Sequence, residues 1–141
     1  MTTTRNTHLP ALSPRDRDFI AACRRVMASS GRTSLTAAEI AGIASRQPAP
    51  SYYLSHEQAM RQLHRADTGA DPGKAHPSTL SRREELRRKV AALQESRGIG
   101  RGEALTHVLA GGASGFFIEP STALRLYQRI RQRRRRAMKN A

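Results

Sequence analysis

Apolar residues recur at helical spacing in short runs, each opened by a capping residue and closed by glycine or proline. Ser13 followed by Pro14 is a helix start, because a serine oxygen accepts an otherwise unpaired N–H and proline suits the first turn. Phe19, Ile20, Cys23, Val26 and Met27 then share one helical face, and Gly31 is the predicted stop. Thr36-Ala37-Ala38-Glu39 has the form of a capping box, and Ile40, Ile43 and Ala44 give the short helix behind it an apolar side. Pro48 and Pro50 end that helix. Ser55 opens a third, with Gln58 at the fourth place of its box and Ala59, Met60 and Leu63 facing inward.

The same order restarts at Ser81-Arg82-Arg83-Glu84, which predicts a cap for a helix with Leu86, Val90 and Leu93 on its buried side. The run "RGIGRG" ends it. Leu105, Val108 and Leu109 mark a short helix that stops at Gly111-Gly112, and Glu119-Pro120 start a last one with Ala123, Leu124, Tyr127 and Ile130 inward. Between the second and third helix of each series stand matching stretches, "APSYYLSHEQAMR" from 49 and "ASGFFIEPSTALR" from 113, offset by 64 residues. Tyr52-Tyr53-Leu54 and Phe116-Phe117-Ile118 read as extended turns whose rings plug the space between helices, with one ring of each pair less buried than the other.

The fold expected from this pattern is all-α: two tandem helix-helix-turn-helix repeats packed with approximate pseudo-two-fold symmetry. A flexible tail is expected over 1–12, the first repeat over 13–65, a Gly/Pro-rich linker over 66–80, the second repeat over 81–132 and a basic tail over 133–141. A unit of roughly 50 residues has a marginal core on its own, so the two are expected to pack on each other. With 38% hydrophobic residues, no tryptophan, three tyrosines and three phenylalanines, the rings of the repeated element are the candidate anchors of a thin core.

Charge changes the picture from fold to partner. Twenty-five Lys and Arg stand against 11 Asp and Glu, a formal net charge of +14, and a chain so basic seeks polyanions. From residue 121 onward Arg125, Arg129, Arg131, Arg133, Arg134, Arg135, Arg136 and Lys139 are accompanied by no acid. Adjacent arginines repel one another unless solvent or a polyanion relieves them, and the guanidinium fork matches phosphate geometry. Arg125, Arg129, Arg133, Arg134, Arg135 and Arg136 are therefore candidate phosphate contacts. Such contacts position a protein without reading bases.

The run "LTAAEIAGIASRQ" resembles the first helix of helix-turn-helix DNA-binding proteins, with Glu39-Ile40-Ala41 where that family often has a charged, an aliphatic and a small residue. The resemblance covers residues 35–60. It implies that the helix after Ser55 reads bases, through Gln58, Arg61, Gln62 and Arg65, since Gln and Arg make bidentate contacts to adenine and guanine edges. The connection departs from the family: Gln47-Pro48-Ala49-Pro50 and the tyrosines make it longer and stiffer than the usual tight turn.

Other chemistry is thin. The lone Cys23 excludes an internal disulfide framework and leaves too little thiol for a structural zinc site. Gly98, Gly100 and Gly102 follow a helix and not a strand, so a phosphate-loop context is absent. His8, His56, His64, His76 and His107 lack metal-ligand spacing, and no nucleophile motif is present. No metal or cofactor is expected. No apolar run approaches the ~18 residues that span a bilayer, and "MTTTRNTHLPALSP" lacks the apolar centre of a signal peptide, so a cytoplasmic protein is expected. The function expected is non-enzymatic nucleic-acid binding, DNA favoured over RNA. The alternative is a structural or adaptor protein whose helical body binds a protein partner, or a second copy of the chain, while the basic tail docks on RNA, DNA or an acidic surface.

Overall fold

The computed structural model describes residues 12–30, 34–69 and 73–139, with the backbone alone at 134. The tail expected over 1–12, apart from Leu12, and the stop expected at Gly31 lie outside the described residues. Among the described residues the regular elements are six helices: α1 (Pro14–Ser29), α2 (Ala37–Ser45), α3 (His56–Thr68), α4 (Pro77–Arg97), α5 (Arg101–Ala110) and α6 (Pro120–Lys139). One isolated antiparallel bridge, Ala49 to Ala113, accompanies them.

Local signals act where the sequence places them. Ser13 accepts the Asp16 N–H, and Thr36 with Glu39, like Ser55 with Gln58, forms a reciprocal capping box. Gly69 and Gly98 close α3 and α4 in the left-handed conformation that glycine adopts without strain. The start of α4 differs from expectation. It begins at Pro77, before the Ser81 box, and α3 continues to Thr68, so helices enter both ends of the expected 66–80 linker. The cap comes from far along the chain: the Glu119 carboxylate accepts the Ser78 N–H at 2.8 Å, a favourable place for an anion at a helix N-terminus. Hydrogen bonding from Ser78 holds that carboxyl below its usual range.

The helices pack as two trios, α1 with α2 and α6, and α3 with α4 and α5; every close helix–helix approach among the described residues falls within a trio. The compact bodies are therefore not contiguous in sequence. Each contains two successive helices from one half of the chain and the third helix of the other half, whereas the expected units were 13–65 and 81–132. The cause is a crossing. The segments after α2 and α5 meet antiparallel, Ala49 N–H donating to Ala113 O at 3.0 Å and Ala113 N–H to Ala49 O at 2.8 Å, and each then carries its next helix to the far side.

Rings fill this crossing. Tyr52 stacks on Phe117 with centroids 6.4 Å apart, Tyr53 stacks on Phe116 at 6.2 Å, and Phe19 of α1 meets Phe116 edge-on at 5.7 Å. Tyr52 and Phe116 are buried, while Tyr53 and Phe117 are half-buried. Among the described residues, Tyr53 and Phe117 are also the two non-glycine residues with positive φ, 57° and 54°. A bulky side chain in that region costs roughly 1–3 kcal/mol and persists only where its surroundings hold it. Here the stacked partners do so. At Gly112 a Cβ would lie 2.8 Å from the Ala49 carbonyl oxygen, so glycine is what lets the two backbones approach.

Polar groups pin the crossing to both trios. Tyr53 donates to Asp18 of α1 at 2.5 Å and Tyr52 donates to Glu85 of α4 at 2.5 Å. Glu85 is buried and also accepts from the Ser114 hydroxyl and, at 3.1 Å, from the Ser114 N–H; Lys89 lies 3.4 Å away. Burial would raise the Glu85 carboxyl, but the bonds from Ser114 and Tyr52 and the Lys89 charge outweigh it and bring it down to about 2. Burial first, then the carboxylate partner, pushes both phenols upward, so they remain protonated donors.

Two outcomes follow from this packing. Phe116→Ala should cost about 3–5 kcal/mol in denaturant unfolding, through lost burial and a cavity, and Phe117→Ala clearly less; equal small losses would place the anchor elsewhere. Because the folded Glu85 pKa lies below its ordinary 4.5, its contribution is full above that value and is lost as pH falls toward about 2. Glu85→Gln should therefore be less stable at neutral pH yet decline less steeply across that window, as read from unfolding midpoints against pH.

Candidate nucleic-acid interface

The most basic element, α6, has two parts distinguished by burial. Up to Ile130 it is amphipathic, with Ala123, Leu126, Tyr127 and Ile130 in the core; Leu126 takes the inward place expected of the half-buried Leu124. Beyond Ile130 no residue with a described side chain is buried, and the helix continues unbroken to Lys139. The tail expected from 133 is thus helical through 139. Residues 131–139 extend about 13 Å past the last core residue, at ~1.5 Å per residue.

Arg125, Arg129 and Arg136 are exposed and fall at i, i+4 and i+11, a stripe opposite the buried side. Arg125 donates to Thr122 at 3.5 Å, a long and weak contact. The Arg131 guanidinium lies over the Tyr127 ring, 5.7 Å from its centroid, so an aromatic residue of the core roots one charge. Arg135, Arg136 and Lys139 are exposed and Arg133 is half-buried. The four consecutive positions 133–136 fall ~100° apart on a helix, so this basic segment encircles the axis and has no neutral side. The side chain of Arg134 lies outside the described residues.

A further basic residue, outside those expected from the sequence, stands beside this helix. Arg24 of α1, exposed at its outer side, lines the same small cavity of about 30 Å³ as Tyr127, Ile130 and Arg131. Its helical spacing from the exposed Arg17, at i+7 and away from Phe19 and Val26, was the available signal. Cys23 beside it is buried, and burial pushes its thiol up to about 11, which keeps it in the unreactive protonated form.

The α3 candidates have different surroundings. Gln58 accepts the Ser55 N–H at 2.9 Å as part of its own helix cap. Arg61 pairs with Glu57 at 2.8 Å on an exposed face, where an ion pair contributes only ~0–1 kcal/mol and exchanges readily. Gln62 accepts from the buried Arg83 of α4. Arg65 is exposed in the last turn. Residues 46–55 separate α2 from α3, and those helices belong to different trios, as do α3 and α6. The structure therefore does not unite the α3 and α6 candidates in one helical cluster.

Where the trios meet, a cleft of about 330 Å³ is lined by Ser45, Ser78, Ser81, Ser114, Arg46 and Phe117 among others. Of its hydroxyls, Ser45 donates to the Gly42 carbonyl and Ser114 to Glu85. On α4, Arg82 has a buried Nε with no hydrogen-bond partner among the described residues. Burial, then repulsion from Arg83 and Arg15, weakens its hold on the proton. Among the described residues no group of His, Cys, Asp and Glu is arranged to hold a metal ion, and no helix is long and apolar enough to cross a membrane.

Comparison of the chain with family models, with curated proteins and with solved structures finds no match.

Proposed function

We propose that the chain is a small, basic, cytoplasmic nucleic-acid-binding protein without enzymatic activity, with DNA favoured over RNA, and that α6 supplies most of its affinity through phosphate contacts. The observation that carries this reading is the continuation of α6 beyond Ile130, free of acids and surrounded by arginine. A helical stretch with no fully buried described side chain gains little stability from a core, and its clustered charges repel. A polyanion that releases counterions on contact turns that repulsion into affinity. The helix-turn-helix resemblance and α3 enter as the sequence-reading part, with Arg61 and Arg65 the exposed candidates.

We further propose that the body is a duplicated helix-helix-turn-helix unit with approximate two-fold pseudo-symmetry. Supporting this, Ala49 and Ala113 pair, Tyr53 and Phe117 share a positive φ, and both pairs stand 64 residues apart. Tyr52 against Phe117 and Tyr53 against Phe116 repeat one stacking relation in reverse order. Duplication bears on architecture and leaves function open.

Replacing Arg133, Arg134, Arg135 and Arg136 with Gln removes at most four phosphate contacts and should flatten the slope of log affinity against log salt on duplex DNA by up to ~3–4 units. Arg61→Ala with Arg65→Ala should instead weaken a preferred site by ~1–3 kcal/mol per lost base contact and leave nonspecific binding nearly unchanged. Equal losses on every sequence from both variants would remove α3 as a reader. Unchanged binding in the arginine variant would contradict the phosphate role of α6, and no binding of the parent to any nucleic acid would favour the adaptor alternative.

A further inference from the structure

We propose that residues 131–139 act as one rigid rod that enters the major groove of duplex DNA, an inference that rests on the polyanion-binding function above and names its partner more narrowly. Three observations carry it. The first is continuity: α6 runs from Pro120 to Lys139 in a single helix, so the basic segment is held in direction by the part packed on α1 and α2. The second is protrusion, since Arg131, Gln132, Arg135, Arg136 and Met138 are exposed, Arg133 is half-buried and no described side chain after Ile130 is fully buried.

The third is the distribution of charge. Consecutive arginines at 133–136 occupy positions on every side of the helix. A flat polyanion can approach a rod from one direction only and leaves the far arginines facing solvent. A groove has phosphate walls on two sides, and the DNA major groove, ~12 Å wide, admits an α-helix. The deep, narrow major groove of A-form RNA does not. Arg24 of α1 sits at the root of the rod beside Arg131, where the body would meet the groove wall, and can take a further phosphate.

A rod and a flexible basic tail of equal charge are separated by a substitution that keeps every charge. Gln132→Pro in the full chain removes a helical N–H and clashes with the preceding turn, kinking the helix at the root of the basic segment. Insertion of two glycines between Gln132 and Arg133 interrupts the rod without disturbing the packed turn around Ile130, and covers the case in which proline loosens the body. Each protein is titrated against fluorescently labelled duplex DNA, single-stranded DNA and duplex RNA of equal length, with melting temperature as the fold control.

The rod predicts a loss of about 10-fold or more on duplex DNA, because ordering costs return once the segment is no longer preorganised, with single-stranded affinity changed much less. It also predicts that the parent prefers duplex DNA over duplex RNA. Duplex DNA affinity unchanged in the glycine-insertion variant would overturn the rod, and so would equal parental affinity for the two duplexes. Either result can coexist with a weakened arginine-to-glutamine variant, which separates loss of the rod from loss of the phosphate-binding function.

Discussion

The antiparallel crossing of the segments that follow α2 and α5 is the constraint on which the remaining structure depends. Two reciprocal hydrogen bonds between Ala49 and Ala113 hold the backbones together, and four rings from those segments, joined by Phe19, occupy the space around them. Each segment then delivers its next helix into the other trio. Neither half of the chain can complete a three-helix body without the other, which explains how 141 residues with few aromatics sustain a core. The strained backbone at Tyr53 and Phe117, the bare approach at Gly112 and the buried Glu85 network all serve that one junction.

The same economy separates fold from surface. Helix α6 contributes its apolar side to one trio up to Ile130 and fully buries no described side chain beyond it, with Arg131 over the Tyr127 ring linking the basic segment to the core. Such a division suits a phosphate-binding element. Arginines confined to a packed helix would need carboxylate partners, and each ion pair formed internally would compete with nucleic acid. In α3 that competition is visible, because Arg61 faces Glu57 and Gln62 faces Arg83.

Much of the fold was legible because helix caps are local. Ser13, Thr36 and Ser55 cap where their sequences say, Gly98 stops α4, and the aromatic pairs occupy the crossing. What was not legible is non-local. The start of α4 is capped by Glu119, a carboxylate 41 residues away, and no window of sequence around Ser81 contains that information. The exchange of α3 and α6 between trios depends on the direction in which the crossing sends the chain, which helical periodicity does not encode. The arginine run was legible as charge, but its helical form past Ile130 was not, since a segment without apolar periodicity gives no signal for a packed helix. Gln58 shows the opposite confusion: one residue type at the same position satisfied both the capping box and the base-reading pattern, and the cap is what the structure contains.

The most direct test of this account is truncation after Gln132, with thermal unfolding and duplex-DNA affinity measured on the same preparation. If body and basic segment are separable, the melting temperature should shift by no more than a few degrees, the response to ~1 kcal/mol or less. Affinity should meanwhile fall by at least about 10-fold at moderate salt, with a flatter salt dependence. A truncated chain that no longer unfolds cooperatively, or that still binds duplex DNA as the parent does, would contradict it.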